Sequence, residues 1–216
     1  MEPTWPKRWF DLCLVPEHDL RPGHQRINVF PTRGALNRIP EVIPAKQPRG
    51  LILVGGPSRH HGWAGPELLA AIRDVVGARP ELAWTIGDSR RTPKDFSKAL
   101  ADAGLPAKFT PHARTTPNWV PEQLLTAVEV WVTEDSISMM HEAVTAGART
   151  GLLPVPAARH DARVLRAVQS LVAGGYVTPH AEWQSNGRQL PAPRPFHETS
   201  RCAEIVLERL FPDLKR

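Results

Sequence analysis

Short, unbroken apolar runs alternate with segments of helical periodicity along most of the chain. Residues 51–54 form such a run, and it ends at two glycines, which is typical of a parallel strand buried on both faces. Between Leu68 and Val76 the apolar residues recur at helical spacing, and Gly77 indicates where that helix ends. The other predicted strands lie at 82–86, 107–110, 128–133 and 150–154, and the other helices at 93–104, 121–127, 136–147, 165–172 and 202–210. This alternation predicts an α/β fold, a doubly wound parallel sheet with helices on both faces.

Residues 1–45 follow a different pattern. The predicted strands here, with the prolines that end them, are 10–15 with Pro16 and 27–30 with Pro31. No amphipathic helix accompanies them, and two strands alone cannot enclose a core. A proline-rich connection follows. We therefore predict that residues 1–48 are the end of a preceding domain with its connector, packed against a nucleotide-binding domain at 49–216.

The bulk composition is that of a soluble globular protein. Hydrophobic residues make up 41% and charged residues 23% of the 216 residues, which excludes a disordered chain and allows one full core with part of a second. No apolar run approaches the roughly 20 residues that span a bilayer, and the N-terminus has no apolar signal core. Cys13 and Cys202 are far apart in the sequence, so we expect buried free thiols in a reducing compartment. A cytoplasmic location is the resulting prediction.

The excess of positive charge is small and scattered. The 27 basic and 22 acidic residues give a net charge of +5, without a block of like charges. Such a distribution is typical of a solvated surface, and it also suits an anionic small molecule, because arginine matches phosphate oxygens with a planar fork. The sequence has neither a clustered basic stripe nor a recognised nucleic-acid motif, so no nucleic-acid partner is predicted. The spacing of its histidines and cysteines predicts no metal site.

Polar residues follow four of the predicted strands, and ligands of open α/β sheets bind beyond the carboxyl ends of the strands. The loop after the strand at 51–54 contains Gly55, Gly56, Ser58 and Arg59. Its glycines would let the backbone approach a ligand closely, and its two side chains can donate hydrogen bonds to an anion. The distance to the next helix fits neither a P-loop nor a dinucleotide fingerprint. A tight turn with a solvated loop is the alternative.

Two adjacent arginines, Arg90 and Arg91, precede the helix that is predicted to begin at Pro93. The positive end of a helix dipole disfavours cations unless an anion is also present. A phosphate site would explain the pair. Two solvated arginines at a strand end are the alternative.

The segment after the strand at 128–133 carries the most informative pattern. Asp135 is predicted to be the N-cap of the next helix, and Ser138 and Glu142 are four residues apart on one face of it. The first-turn amides, with Ser136 and Ser138, would meet a phosphate. Glu142, one turn deeper, would accept hydrogen bonds from the two hydroxyls of a ribose. Ordinary capping serines and a solvated glutamate are the alternative.

His18 and Asp19 follow the first short strand. A histidine beside a carboxylate can act as a general base, because the carboxylate holds its tautomer and raises its basicity. A polar turn is the commoner explanation of such a sequence. We regard these two residues as candidate catalytic residues.

Five motifs, in order along the chain, resemble a largely bacterial family that is named after a plant mitochondrial-fission factor and is sometimes labelled a nucleoside-diphosphate-sugar epimerase. The motifs span residues 11–19, 32–38, 54–58, 89–93 and 133–139. The family is similar to two-domain glycosyltransferases of the GT-B type, whose C-terminal half binds the nucleotide of a sugar donor. The resemblance therefore implies a GT-B C-terminal-domain-like Rossmann fold with a short N-terminal remnant. It also implies Ser136 and Ser138 at the diphosphate and Glu142 at the ribose.

Three functions follow from these residues and the resemblance. The first is a glycosyltransferase-like protein that binds a nucleotide-diphosphate sugar without metal or other cofactor, with Arg59, Arg90 and Arg91 as countercharge. The second is a non-catalytic interaction module that keeps the crevice. The third is a sugar-nucleotide epimerase, for which Glu17, His18 and Asp19 would have to supply the acid and base. Family members carry a further N-terminal half that would hold the acceptor, so weak or absent turnover is expected here. A peripheral membrane acceptor is compatible with the first function, and the sequence does not set the oligomeric state.

Overall fold

The computed structural model describes residues 5–20, 26–58, 61–156 and 162–215, which fold into two parallel sheets with surrounding helices. The strands are β1 (Cys13–Pro16), β2 (Val29–Thr32), β3 (Gln47–Leu53), β4 (Ala83–Gly87), β5 (Ala107–Thr110), β6 (Ala127–Thr133), β7 (Arg149–Leu153) and β8 (Thr178–Pro179). The helices are α1 (Gly65–Ala78), α2 (Lys94–Asp102), α3 (Trp119–Thr126), α4 (Ile137–Thr145), α5 (Ala162–Ala173), α6 (His180–Ser185) and α7 (Glu198–Leu210). Short 3-10 turns lie at Lys7–Trp9, Glu17–Asp19, His112–Arg114 and Pro212–Lys215.

The larger sheet has six parallel strands in the order β5-β4-β3-β6-β7-β8. The chain adds β4 and β5 on one side of β3, then returns and adds β6 on the other side. This is the strand order of dinucleotide-binding folds, in which a ligand crevice opens where the order reverses. The reversal lies between the carboxyl ends of β3 and β6. The predicted α/β fold with a doubly wound parallel sheet is confirmed.

Each face of β3 is covered by its own set of helices, because successive side chains of a strand point to opposite faces. One core contains Leu51 and Leu53 of β3 with Leu124 of α3, Met140 of α4 and Leu171 of α5. The other core contains Ile52 and Val54 with Leu68 and Ile72 of α1, Phe96 of α2 and Trp183 of α6. Two apolar cores therefore fix β3 from both sides.

The structure corrects the predicted strand ends near the N-terminus. Strand β1 ends at Pro16, as predicted, but Pro31 was expected to stop the second strand and instead lies inside β2, where it pairs with Val15. A proline can occupy a strand whose missing N–H faces an unpaired edge, and each of these strands has only the other as its partner among the described residues. The sequence also does not predict β8 and α6, since elements of two and six residues are too short to show a period.

Two further findings concern the composition. Cys13 and Cys202 are buried free thiols, as predicted. In the described part of the chain, no helix combines the length and the apolar character that crossing a membrane requires.

The small β1–β2 sheet is held against the C-terminal helix α7. Glu198 of α7, only 4% exposed, accepts a hydrogen bond of 2.8 Å from the Arg33 backbone N–H and further bonds from the Arg201 guanidinium. Arg201 also lies 4.8 Å from the ring centroid of Phe30. Burial raises the pKa of Glu198, but the hydrogen bonds from Arg201 and Arg33 lower it overall. These contacts join the segment to the main domain, and the predicted boundary after residue 48 stays a prediction.

We expect Glu198→Ala to detach this segment. The substitution leaves the Arg33 amide without its acceptor and removes the partner of Arg201, which should lower the free energy of unfolding by about 2–3 kcal/mol. Urea unfolding measures that loss, and limited proteolysis should cut the N-terminal segment sooner than in the wild type. Glu204→Ala, at an exposed position of the same helix, is the control. Equal stability and equal protease resistance of the two variants would show that Glu198 does not anchor the segment.

Candidate functional site

A buried carboxylate joins the three chain segments that surround the reversal point of the sheet. Asp135, which follows β6, has a side chain only 1% exposed. Its Oδ2 accepts a hydrogen bond of 3.1 Å from the Gly56 amide after β3 and one of 2.7 Å from Arg91 Nη2 after β4. Arg91 Nη1 donates in turn to the Gly56 carbonyl at 2.9 Å, and the Gly55 amide donates to Thr133 Oγ1 at 2.8 Å. The loops after β3, β4 and β6 are therefore locked together at one carboxylate.

This geometry corrects the prediction that Asp135 caps the helix after β6. The N-cap residue of α4 is Ser136, and its side chain makes no capping hydrogen bond. Asp135 turns back toward the loop after β3 because Arg91 and the Gly56 amide offer it stronger partners than the first turn of a helix does. Sequence alone could not show this, since Arg91 is 44 residues away along the chain.

The two glycines after β3 are required by protein neighbours. A Cβ built on Gly55 would lie 2.2 Å from Asp135 Oδ2, and one on Gly56 would lie 2.2 Å from the Arg91 carbonyl oxygen. Both glycines are buried. The close approach that was predicted for a ligand is therefore made by Asp135 and by the backbone of the turn after β4.

The structure separates the two adjacent arginines. Arg91 is 42% exposed and bound to Asp135, so its charge beside α2 is already balanced within the protein. Arg90 is exposed, and no residue in the described ranges gives it a hydrogen bond or an ion pair. Arg90 is consequently the arginine of this pair that could meet an anion without first breaking an internal bond.

The N-terminus of α4 lies beside this cluster with its first amides unused. Among the described residues, none accepts a hydrogen bond from the backbone N–H of Ile137, Ser138 or Met139. Ser138 is exposed at the first turn. Glu142 is half-buried one turn further on, which disagrees with the alternative of a solvated glutamate, and burial raises the pKa of its carboxyl. The first turn of α4 therefore offers hydrogen-bond donors for an anion, and Glu142 lies one turn further along as a poorly solvated carboxylate acceptor.

Ser58 closes a turn at the entrance to the crevice. Its backbone N–H donates to the His61 carbonyl at 2.9 Å, and its Oγ accepts from the His61 N–H at 3.2 Å. Arg59, the remaining predicted contact of this loop, lies outside the described residues.

The candidate base His18 is buried, with 8% of its surface exposed. Its ring stacks on that of His141 in α4 at 6.0 Å between centroids and 16° between planes. The main chain of His18 is also fixed, because Arg166 of α5 donates to its carbonyl at 2.8 Å. Asp19 is partly buried in the same 3-10 turn. His18 is therefore placed in a packed interface, and the proposed catalytic use of His18 and Asp19 has no exposed imidazole to support it.

His141 is a residue of this region that sequence reasoning missed. Its Nδ1 lies 2.9 Å from the Ile137 carbonyl and must donate to it, which leaves Nε2 as an unprotonated acceptor. Nε2 is buried without a hydrogen-bond partner in the described structure, and a Cβ on Gly34 would lie 2.3 Å from it. Burial lowers the pKa of His141 to about 4. The only sequence signal was a histidine on the buried face of a predicted helix.

A second missed residue, Asp88, follows β4 at the place where dinucleotide-binding folds hold the ribose with an acidic side chain. Here the carboxylate is 3% exposed and already accepts hydrogen bonds from Ser97 Oγ at 2.6 Å and from the His112 backbone and ring. It is not available for a ribose. Glu142 is the half-buried acceptor that remains beside the crevice.

No metal site accompanies these groups. In residues 5–20, 26–58, 61–156 and 162–215, no three His, Cys, Asp or Glu side chains come together as a metal-binding set.

We expect Arg91→Ala to destabilise the protein, whereas Arg90→Ala should change the free energy of unfolding by less than about 0.5 kcal/mol. The first substitution leaves the buried Asp135 carboxylate with one neutral donor, at a cost of about 1–3 kcal/mol. Adding Asp135→Asn to Arg91→Ala should recover part of the loss, because no buried charge remains. Urea unfolding of the wild type, Arg91→Ala, Asp135→Asn and the double variant completes the double-mutant cycle, and Arg90→Ala is measured beside them. Equal losses for the two arginines would contradict the assignment.

Protonation of His141 should make stability depend on pH. The pKa is lowered from 6.5 to about 4 in the folded state, so the unfolded chain binds the proton more readily. Stability is then fully present above pH 6.5 and falls as the pH decreases toward 4, by at most about 3 kcal/mol. Unfolding free energies of His141→Gln should decline less over this range than those of the wild type. The control His197→Gln, at an exposed site, should follow the wild type. Parallel curves for wild type and His141→Gln would contradict the prediction.

Comparisons with known proteins bear on the fold and the family. One solved structure, provisionally named a UDP-N-acetylglucosamine 2-epimerase from Listeria monocytogenes, is similar over 74% of this chain and 45% of its own, with 14% identity and a TM-score of 0.46. The GtfA/B complex is similar over 70% of this chain and 34% of the other, with 15% identity and a TM-score of 0.39. This chain thus spans less than half of either structure, and at these scores the similarity carries no conclusion about function.

No curated protein sequence matches the chain. The sequence pattern of one family, described as Mitochondrial fission ELM1, matches residues 1–210, which is nearly the whole length. The five motifs that pointed to this family lie within that match. The chain belongs to the mitochondrial fission ELM1 family.

Proposed function

We propose that this protein binds a nucleotide-diphosphate sugar in the crevice between the carboxyl ends of β3 and β6. The observation that carries the proposal is the uncapped N-terminus of α4 at the reversal point of the sheet. The amides of Ile137, Ser138 and Met139 have no acceptor in the described structure, and the Ser136 side chain does not cap them. A helix of nine residues that starts this way provides donors and a positive dipole end for a phosphate.

The diphosphate would lie on the first turn of α4. The free amides and the Ser138 hydroxyl would donate to its oxygens, and Arg90, which has no partner among the described residues, would supply a mobile positive charge. In this scheme Arg90 and the positive end of α4 offset most of the charge of a sugar-linked diphosphate without a metal ion. Arg59 would add to them if its side chain reaches the same crevice.

The ribose would lie beside Glu142, which is on the same helical face as Ser138 and one turn further from the N-terminus. Its half-buried carboxylate is poorly solvated, as its raised pKa indicates. Two ribose hydroxyls would donate hydrogen bonds to the Glu142 carboxylate in place of solvent. Hydrogen bonds to a charged acceptor are stronger than those between neutral groups. Asp88 cannot take this role because Ser97 and His112 already occupy it.

Asp135 and Arg91 would form the floor of the site. The carboxylate holds the Arg91 fork and the Gly56 amide, which are the kinds of donor that a phosphate would otherwise recruit. Gly55 and Gly56 would therefore contribute by leaving room for Asp135 and the Arg91 backbone to pack against them.

We propose nucleotide binding and do not propose catalytic turnover. Sugar transfer or epimerisation would need a general base within reach of the ligand, and the candidate His18 is packed against His141. The features of the crevice therefore support the part of a glycosyltransferase-like function that concerns binding of the sugar donor. An interaction module that lacks nucleotide affinity is the competing function.

Glu142→Gln should weaken uridine diphosphate and uridine alike, by about 10- to 150-fold, because one charged acceptor becomes an amide. The variant should be as stable as the wild type or more stable at neutral pH, since it removes a carboxylate that burial disfavours. Arg90→Ala should weaken the diphosphate more than the nucleoside. Isothermal titration gives the affinities, and Glu182→Gln, exposed on α6, is the control.

A rise in melting temperature with uridine diphosphate should accompany binding, because a ligand that binds only the native state stabilises it. Equal affinities of Glu142→Gln and wild type would remove the ribose role of Glu142. No thermal shift with any nucleoside diphosphate would reject the proposal in favour of the interaction module.

A further inference from the structure

A cavity of about 700 Å³ lies at the edge of the larger sheet where the strands begin, opposite the edge that carries Asp135. Its volume is within the range of small-molecule sites. Three arginines from three different elements line it: Arg79 after α1, Arg149 at the start of β7 and Arg188 after α6. Glu81 is the one acidic residue in the lining. The wall is therefore rich in planar cations that do not share a helix or a strand.

Arg79 is committed to the protein. It donates to Glu129 Oε2, and its Nε donates to Glu81. Glu129 is fully buried in β6 and also accepts from Trp131 Nε1 at 3.0 Å. Burial raises the pKa of Glu129, while Trp131 and Arg79 favour its ionised form. Removing Arg79 would leave a buried carboxylate without its hydrogen-bonded cation, so this arginine supports the cavity wall.

Arg188 is held in place from three directions. Its backbone N–H donates to the Trp183 carbonyl at 2.9 Å, its guanidinium carbon lies 5.7 Å from the Trp183 ring centroid, and its Nη2 bonds Asp74 at 2.7 Å. Among the described residues it is the one non-glycine residue with a positive φ, 61°. That conformation is uncommon for a long side chain and is kept only where the surroundings impose it. Nη1 and Nε of Arg188 have no acceptor in the described structure and are free to bind.

Arg149 is the least committed of the three. It stands beside Glu129 in the register of β6 and β7, and no described residue forms a hydrogen bond or ion pair with it. It is partly buried. Its charge interacts with that of the buried Glu129 carboxylate, without a hydrogen bond between the two side chains. A partly buried guanidinium without a hydrogen-bond acceptor is an uncommon arrangement that a bound anion would satisfy.

We propose that this cavity binds a small polyanion with at least two charged oxygen groups, held between Arg149 and Arg188. Arginine forks match both carboxylate and phosphate oxygens in bidentate geometry, so the shared chemistry is a multivalent oxyanion. Arg79 holds the wall in place, and its charge is already neutralised by Glu129 and Glu81. The cavity is distinct from the crevice at β3 and β6, because the full length of a strand, about 17 Å for five residues, separates the two edges.

Titration calorimetry with pyrophosphate and, separately, with citrate tests this assignment on the whole chain. Arg149→Gln and Arg188→Gln should each weaken binding at this cavity at least tenfold, and Arg149→Lys, which keeps the charge but loses the fork, should fall between them and the wild type. Arg73→Gln, exposed on α1, is the matched control and should bind like the wild type. Circular dichroism confirms that each variant is folded.

The two probes distinguish the ligand classes. Binding of pyrophosphate alone assigns a phosphate ligand, and binding of both anions assigns a general polyanion site. Arg90→Ala, at the other edge, separates this cavity from the crevice. The inference is overturned if neither anion binds, if Arg149→Gln binds both as tightly as the wild type, or if Arg90→Ala alone abolishes the heat of binding.

Discussion

The Asp135 carboxylate is the contact on which the carboxyl edge of the sheet depends. It is withdrawn from water and holds the Gly56 amide and the Arg91 guanidinium, so the ends of β3 and β6 and the turn before α2 cannot move independently. A buried charge is tolerated only with a partner of opposite charge and hydrogen bonds. This requirement explains why the two residues after Val54 are glycines, and why the helix after β6 begins without a side-chain cap. The first turn of α4 has no side-chain cap because the Asp135 side chain points toward Gly56 and Arg91 instead.

The sequence predicted five of the six strands of the larger sheet but not the side-chain contacts at its carboxyl edge. Apolar runs such as residues 51–54, bounded by glycines, are typical of strands covered on both faces, and their alternation with helical periods predicts the parallel order. The partner of Asp135, in contrast, depends on a side chain 44 residues away, and local capping preference predicted the wrong contact. The same holds for His18, whose flanking carboxylates suggested a base, while its actual neighbour is an imidazole on α4. Pairings over long sequence distances leave no periodic signal.

The two edges of the sheet use arginine in different ways. At the carboxyl edge, one arginine is neutralised and its neighbour is left exposed beside a helix N-terminus. At the amino edge, Arg79 neutralises a buried glutamate, and the two remaining arginines line a cavity. In each place an internal ion pair holds part of the wall, and a neighbouring arginine keeps N–H groups that no described residue accepts.

The attachment of β1 and β2 to α7 has a consequence for how the chain folds. The hydrogen bonds that hold them link residues 165, 170 and 182 positions apart in the sequence. During synthesis the first strands emerge long before the helix that covers them, and the closing of so long a loop is slow. The six-stranded sheet can assemble in the meantime around β3, which pairs with strands on both sides. The β1–β2 segment is therefore among the last to be fixed, although it is synthesised before the larger sheet, and its exposed strand edges would be available to chaperones, or to a neighbouring chain, until α7 is complete.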